Sequence, residues 1–290
     1  MRCEFEEKHY EQPLNAELKV RGSIIFSPGQ VLENKLGIDA GLFSINPIFW
    51  NLWRNRSKFS LLSRQYRNGI YLKKDLWNRF GQEINDSTFP KFKFNVFIQH
   101  KRPEYLIGSR AYERNYWNQP YFRYYIDEDQ QTNLFNLENN IASQGIVVYG
   151  CPAFWKFDEL WRYAKSHSLV ENSNFVQPHN LNGHDCYTFI NRGTLGKAFS
   201  ESKEVKNYNL LESITSFFEK KTEATTNTQF IFLTAKKIER VVNEANEKFQ
   251  SYYYQITENF EFRNDLAISF AHILAFIYLT NVSWGIAAMT

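Results

Sequence analysis

The chain has 290 residues, 43% of them hydrophobic and 17% aromatic, with a formal net charge of +3. That length can bury a full core, and that apolar content excludes a disordered chain. The near-neutral balance implies neither a polyanion-coated surface nor an acidic tail.

In chain order, residues 3–20 read as a helix, with Glu4, Glu6, Glu7, Glu11 and Glu17 among apolar positions and Pro13 marking a break. "FSPGQVLENKLGIDAGLF" follows. Its Ser-Pro-Gly opening suits a helix start, Gly37 ends that helix, and "IDAGLF" is a short strand carrying Asp39. Residues 47–90 are aromatic and basic, with eight Lys/Arg against the single acid Asp75 over 54–79. Residues 91–124 hold seven more Lys/Arg against Glu104 and Glu113. Both stretches suit a phosphate-bearing partner, and each alone equally suits a solvated helix face.

"FNVFIQHKRP" (94–103) is a strand closed by Pro103, which cannot continue a central strand. With period two, Phe94, Val96 and Ile98 share one face, while Asn95, Phe97, Gln99 and Lys101 share the other. "YFRYYI" (121–126) reads as a strand, and 129–145 as a helix with an acidic start and a terminal glycine. "IVVYGCPAF" (146–154) reads as a buried strand stopped by Gly150 and Pro152, and "FDELWRYAKSH" as a short amphipathic helix. The stretch "NSNFVQPHNLNGHDCYTFINRGTLGKAFS" reads as a long loop region with one strand at 186–190. From about 205 the pattern is mainly helical, with a Thr-rich break at 221–229. "LAISFAHILAFIYLTNV" (266–282) is apolar enough to weigh a membrane anchor, but it is short for a span and carries His272, so a buried core helix is the favoured reading.

Cys3, Cys151 and Cys186 show neither disulfide nor zinc spacing, which points to a reducing cytoplasm. No P-loop, GxGxxG, HExxH or GxSxG pattern occurs, so nucleotide-driven motors, dinucleotide enzymes and the commonest hydrolases have no support.

"LENKLGIDAGLF" followed by "FNVFIQHKRP" resembles the restriction-endonuclease-like PD-(D/E)XK nuclease superfamily in its QxK variant. The resemblance covers roughly residues 1–155; Ile38 stands where a proline usually precedes the aspartate. In that pattern a helix glutamate precedes a strand with the metal aspartate, and a neighbouring strand ends in (D/E)xK or QxK. The resemblance makes Glu33 the helix glutamate in preference to Glu17, Asp39 the metal aspartate, Gln99 the variant acidic position and Lys101 the catalytic lysine. It also implies that a following helix carries a glutamine, for which Gln131 is the candidate.

The implied fold is α/β, a restriction-endonuclease-like core (mixed central sheet flanked by helices) over 1–200, with the basic aromatic insert at 47–90 and a mainly helical C-terminal region over 201–290. Asp39, Gln99 and the main-chain carbonyl of His100 would hold Mg²⁺ or Mn²⁺, with Lys101 orienting a bound water. The implied activity is hydrolysis of DNA phosphodiester bonds by a cytoplasmic nuclease of a restriction or antiphage defence system. A protein partner would supply recognition, and the chain would be a homo-oligomer or complex subunit. The rival expectation is a catalytically inactive nuclease-fold protein that binds nucleic acid or a partner. Trp50, Trp53 and Tyr66 interleave with the cations of the insert, and His184 and Arg102 are further polar candidates outside this set.

Overall fold

The computed structural model of the chain describes residues 1–20, 23–28, 40–43, 70–72, 85–86, 91–108, 111–193, 195–219, 226–258 and 264–288. Helices and strands are mixed in two units. The first comprises Met1–Leu18, Ile98–Glu138 and Val147–Ser216; the second comprises Lys19–Phe97, Asn139–Ile146 and Phe217–Thr290. The expected boundary near residue 200 follows chain order, whereas the units interleave along the chain. Glu33, Asp39 and most of the 47–90 insert, with Trp50, Trp53 and Tyr66, lie outside the described residues.

The first unit opens with α1 (Glu7–Val20), which runs through Pro13 without the expected break. Its buried face, Tyr10, Leu14 and Leu18, recurs every four residues and anchors the helix on both sides of the proline. Tyr10 donates its hydroxyl hydrogen to Ser173 Oγ at 2.7 Å. The buried Glu17 carboxylate accepts from the backbone N–H of Leu169 at 2.7 Å and of Val170 at 3.3 Å.

β4 (Phe92–His100) ends in this unit and is followed by β5 (Glu104–Leu106), the one-turn helix α2 (Arg114–Trp117), β6 (Tyr121–Tyr125), α3 (Glu128–Ile141) and β7 (Gly145–Pro152). All eight residues of β7 are buried, and Gly150 lies inside the strand instead of stopping it. A Cβ at Gly150 would stand 2.9 Å from the Phe175 ring, so the glycine lets that ring approach. α4 (Phe157–Lys165), β8 (Ser173–Val176), a 3-10 turn (Pro178–Leu181), β9 (Cys186–Phe189), β10 (Gly196–Phe199), β11 (Lys203–Val205) and the start of α5 (Leu210–Glu219) complete the unit.

The expected long loop therefore holds three strands, each only four residues long. Glycine and asparagine mark the turns between them, and long-range pairing supplies the rest. β11-β10-β9-β6-β5 form an antiparallel sheet in that order. β8 pairs antiparallel with β7.

In the second unit, β1 (Ser23–Pro28), β2 (Ala40–Phe43) and β3 (Ile70–Leu72) are antiparallel neighbours; Ser27 and Pro28 end β1, and the helix expected after them lies outside the described residues. The helices here are α6 (Asn227–Glu244), α7 (Glu247–Thr257) and α8 (Asp265–Thr280), and the chain returns in β12 (Ser283–Ala288). That last strand corrects the expectation of helix to the end. It pairs antiparallel with β1, and the strand order β3-β2-β1-β12-β4 puts β1 and β12 between β2 and β4. The neighbouring-strand relation that the resemblance implies is thus not what this order shows.

Asparagine and threonine begin the helices where their side chains satisfy free N–H groups. Thr226 accepts from Gln229 N, Asn246 from Phe249 N and Asn264 from Leu266 N. α8 buries most of its length, from Leu266 to Thr280. Among the described residues, no helix is long and apolar enough to cross a membrane.

β4 is covered on both faces, since every residue from Phe94 to His100 is buried, and Asn95 is a polar group held inside. Its Oδ1 accepts from Trp284 Nε1 at 2.9 Å, and its Nδ2 donates to Thr234 Oγ1 at 3.1 Å and to the Gln144 carbonyl at 3.2 Å. Phe97, on the same face, stacks on Trp284.

Candidate functional site

Everything that positions the candidate site lies in the first unit, at the C-terminal end of β4. Lys101 N donates to the Gly150 carbonyl at 2.9 Å, which aligns the end of β4 with β7. The chain then turns at Arg102 and Pro103, so Gln99 and Lys101 project from the last turn of pleat on one face and His100 from the other.

His100 is fully buried edge-on to Tyr10, with ring centroids 5.7 Å apart. Among the described residues neither ring nitrogen has a hydrogen-bond partner. Burial pushes its pKa down to about 4, against the pull of Glu11 and with the help of Lys8, so the ring is neutral. Its side chain is a core group; only its carbonyl faces the candidate site.

On the other face, three side chains form a directed chain of hydrogen bonds. Lys101 Nζ donates to Gln130 Oε1 at 2.8 Å, Gln130 Nε2 donates to Gln99 Oε1 at 2.9 Å, and Gln99 Nε2 donates to the His100 carbonyl at 2.9 Å. Its polarity is fixed by chemistry. An ammonium can only donate and a peptide carbonyl can only accept, so neither amide between them can flip. Lys101 also stands 5.5 Å from the Tyr149 ring centroid. Burial holds its pKa below the ordinary 10.5, opposed by the charges of Glu7 and Asp127.

Gln130 reaches the site because of how α3 begins. Asp127 Oδ1 accepts from Gln130 N at 2.8 Å, which fixes the first turn and aims residue 130 at β4. The expected glutamine, Gln131, points elsewhere. Its Nε2 donates to the Pro178 carbonyl and its Oε1 accepts from Tyr149 OH, both at 2.8 Å, so it braces the core under the site. Gln130, Tyr149, Glu7 and Asp127 are the neighbours that sequence reasoning missed. The D-x-x-Q spacing of Asp127 and Gln130 matches a helix-start pattern and would have placed Gln130 in the first turn.

The structure thus brings together Gln99, the His100 carbonyl and Lys101 of the expected set; Asp39 and Glu33 lie outside the described residues. Glu17, the other helix glutamate considered, is committed to the backbone of Leu169 and Val170. Arg102 pairs with Glu6 at 2.7 Å and donates to the Cys3 carbonyl, while Arg123 holds Glu104 at 2.8 Å. His184 lies apart, its pKa lowered by burial and by Lys203.

A hard divalent cation takes about six oxygen ligands, carboxylates foremost. Gln99 Oε1 and the His100 carbonyl are neutral, and each already accepts a hydrogen bond. No group of three or more His, Cys, Asp or Glu able to hold a metal occurs among the described residues. Those residues by themselves do not make up the oxygen set of Mg²⁺ or Mn²⁺.

No family model, no curated protein and no solved structure matches this chain.

Proposed function

We propose that this protein is a nuclease with a restriction-endonuclease-like core, hydrolysing DNA phosphodiester bonds with Mg²⁺ or Mn²⁺ as cofactor. The observation that carries the reading is the pairing of Gln99 and Lys101 on one face at the end of β4, bridged by Gln130. An ammonium has three N–H groups, and the bond to Gln130 uses one. Among the described residues no hydrogen-bond partner takes the others, which can donate to a phosphate oxygen and offset charge as it builds in the transition state. Gln130 keeps Lys101 from swinging out, and Gln99 holds the His100 carbonyl in place. The resemblance assigns the carboxylates that a cation needs to Asp39 and Glu33, and the strand order, which puts β1 and β12 between β2 and β4, counts against that assignment. The same proposal places the protein in the cytoplasm, which suits its three free cysteines, as a homo-oligomer or complex subunit of a restriction or antiphage system whose partner supplies recognition.

The test is cleavage of plasmid and single-stranded DNA with Mg²⁺ or Mn²⁺, comparing wild type with Lys101→Ala, and Mn²⁺ calorimetry comparing wild type with Asp39→Ala. Metal-dependent cutting lost in Lys101→Ala, with Mn²⁺ binding lost in Asp39→Ala, supports the reading. Equal cutting by wild type and Lys101→Ala overturns it.

A second reading is a catalytically inactive nuclease-fold subunit that binds nucleic acid or a partner. The closed hydrogen-bond chain favours it, because both amide atoms of Gln99 are already engaged. Absence of both cutting and Mn²⁺ binding would select it.

A further inference from the structure

We propose that the layer between the β7–β8 pair and the antiparallel sheet is an internal hydration site, in which bound water bridges the hydroxyls of Tyr124 and Tyr187 and the amide of Asn174. The inference concerns the first unit alone and does not depend on the nuclease reading.

Strand register brings these groups together. Phe122 and Tyr124 of β6 lie directly opposite Phe189 and Tyr187 of β9, and the buried face of the sheet carries all four rings. The Tyr124 and Tyr187 ring centroids are 5.5 Å apart, and Tyr149 of β7 stacks with Tyr124 at 6.1 Å. Asn174 of β8 is the ladder partner of Cys151. It stands close to the Tyr187 hydroxyl: burial raises that hydroxyl's pKa, and the Asn174 side chain draws it back.

Tyr124 is 3% exposed, Asn174 2% and Tyr187 0%. Among the described residues, neither hydroxyl and neither amide atom of Asn174 has an aligned hydrogen-bond partner. Burying such atoms unpartnered costs folding free energy at each one, and phenylalanine would fill either tyrosine position without that cost. Nearby phenols show the ordinary solution. Tyr149 donates to Gln131 Oε1 at 2.8 Å, and Tyr10 donates to Ser173 Oγ at 2.7 Å. A direct bond from Tyr187 to Asn174 would use one atom of each and leave the Tyr124 hydroxyl unmet.

The chemistry of the atoms identifies the guest. The amide nitrogen only donates, the amide oxygen only accepts, and a hydroxyl does both. An anion would leave Asn174 Oδ1 unmet, and a metal ion would leave Nδ2 unmet. The surroundings are also uncharged. The titratable groups that act on Tyr124 are Tyr187, Cys151, Tyr149 and Cys186, and burial raises the pKa of each, so all are neutral. A buried ion would find no counter-charge there. Water is neutral, donates and accepts, and makes about three hydrogen bonds when buried. It would tie β8 to β6 and β9 where the side chains do not meet in aligned bonds.

The experiment combines a crystal structure of the full chain with urea denaturation of Tyr124→Phe and Tyr187→Phe. Tyr149→Phe serves as the reference for a hydroxyl bonded to protein. Ordered water is expected within hydrogen-bond distance of both hydroxyls and of the Asn174 amide. Each variant at 124 and 187 is expected to raise the unfolding equilibrium constant roughly 5-fold, the worth of a typical hydrogen bond, in the same direction as Tyr149→Phe. Phenylalanine keeps the ring and its packing, so the variants fold and the sign of the change is readable. Variants as stable as wild type, or more stable, overturn the proposal, because removing an unbonded hydroxyl relieves a desolvation cost. So does a crystal structure in which these groups bond directly to protein, or in which an ion or an organic molecule fills the layer.

Discussion

Lys101 Nζ lies 2.8 Å from Gln130 Oε1, and that one contact orients every donor and acceptor from the lysine to the His100 carbonyl. Removing the bridge should separate its role from that of its neighbour in sequence. Gln130→Ala is expected to lower metal-dependent cleavage roughly 10- to 100-fold with little change in stability, as for other groups that orient a reacting side chain. Gln131→Ala should instead lower stability, through the lost bonds to Pro178 and Tyr149, with cleavage per folded molecule nearer to wild type. Cleavage rates and urea midpoints on both variants decide the matter; a larger activity loss in Gln131→Ala would show the wrong glutamine has been assigned.

Glu17 is expected to be a stability residue. Glu17→Ala removes the acceptor for two buried N–H groups and should cost about 2–4 kcal/mol. Glu17→Gln keeps an oxygen there and should cost less than half as much. Chemical denaturation measures both, and an Ala variant as stable as wild type would contradict the role.

Gly196 marks a close approach inside the antiparallel sheet. A Cβ there would collide with the hydroxyl and ring of Tyr187, which is fully buried. Gly196→Ala should therefore destabilise by about 1–3 kcal/mol. Gly108→Ala, with nothing within 4 Å of the new carbon, should change stability by less than about 0.5 kcal/mol. Thermal melts of the two variants side by side test the contrast.

The second unit carries a pH dependence through His272 of α8. Its Nδ1 is 2.8 Å from Tyr253 OH, and burial holds its pKa below the ordinary 6.5, against the pull of Glu239 and with Lys236 adding to the effect. Below pH 6.5 the unfolded chain takes up a proton here that the folded chain resists. The stabilisation is complete above that pH and is lost as pH falls toward the folded-state value. His272→Gln keeps an acceptor for Tyr253 and should flatten the fall. Urea midpoints at pH 7.5 and 5.5 should show a smaller drop in the variant than in wild type; equal drops would place the dependence elsewhere.

Local chemistry in the sequence determined a good part of this fold. β4, β6, β7, α3 and α4 follow from apolar periodicity, Pro103 and the acidic helix start, because those signals act over a few residues. The co-facial pairing of Gln99 and Lys101 was legible for the same reason, since a strand alternates its side chains whatever surrounds it. What surrounds them was not legible. Gln130 and Gln131 are adjacent in sequence but about 100° apart around a helix, and only the packing of α3 decides which one faces β4. The four-residue strands β8 and β10 are too short for periodicity to show, and they exist because β7 and β9 satisfy their backbone groups. β12 is the clearest case. Nothing local distinguishes "SWGIAA" from the helical run before it, yet between β1 and β4 it finds two ladders of hydrogen bonds, and Trp284 finds Asn95. Sequence alone determined which residues could share a face, and tertiary structure decided which faces meet, because hydrogen-bond partners and burial come from elsewhere in the chain, 29 residues away for Lys101 and Gln130 and 189 for Asn95 and Trp284.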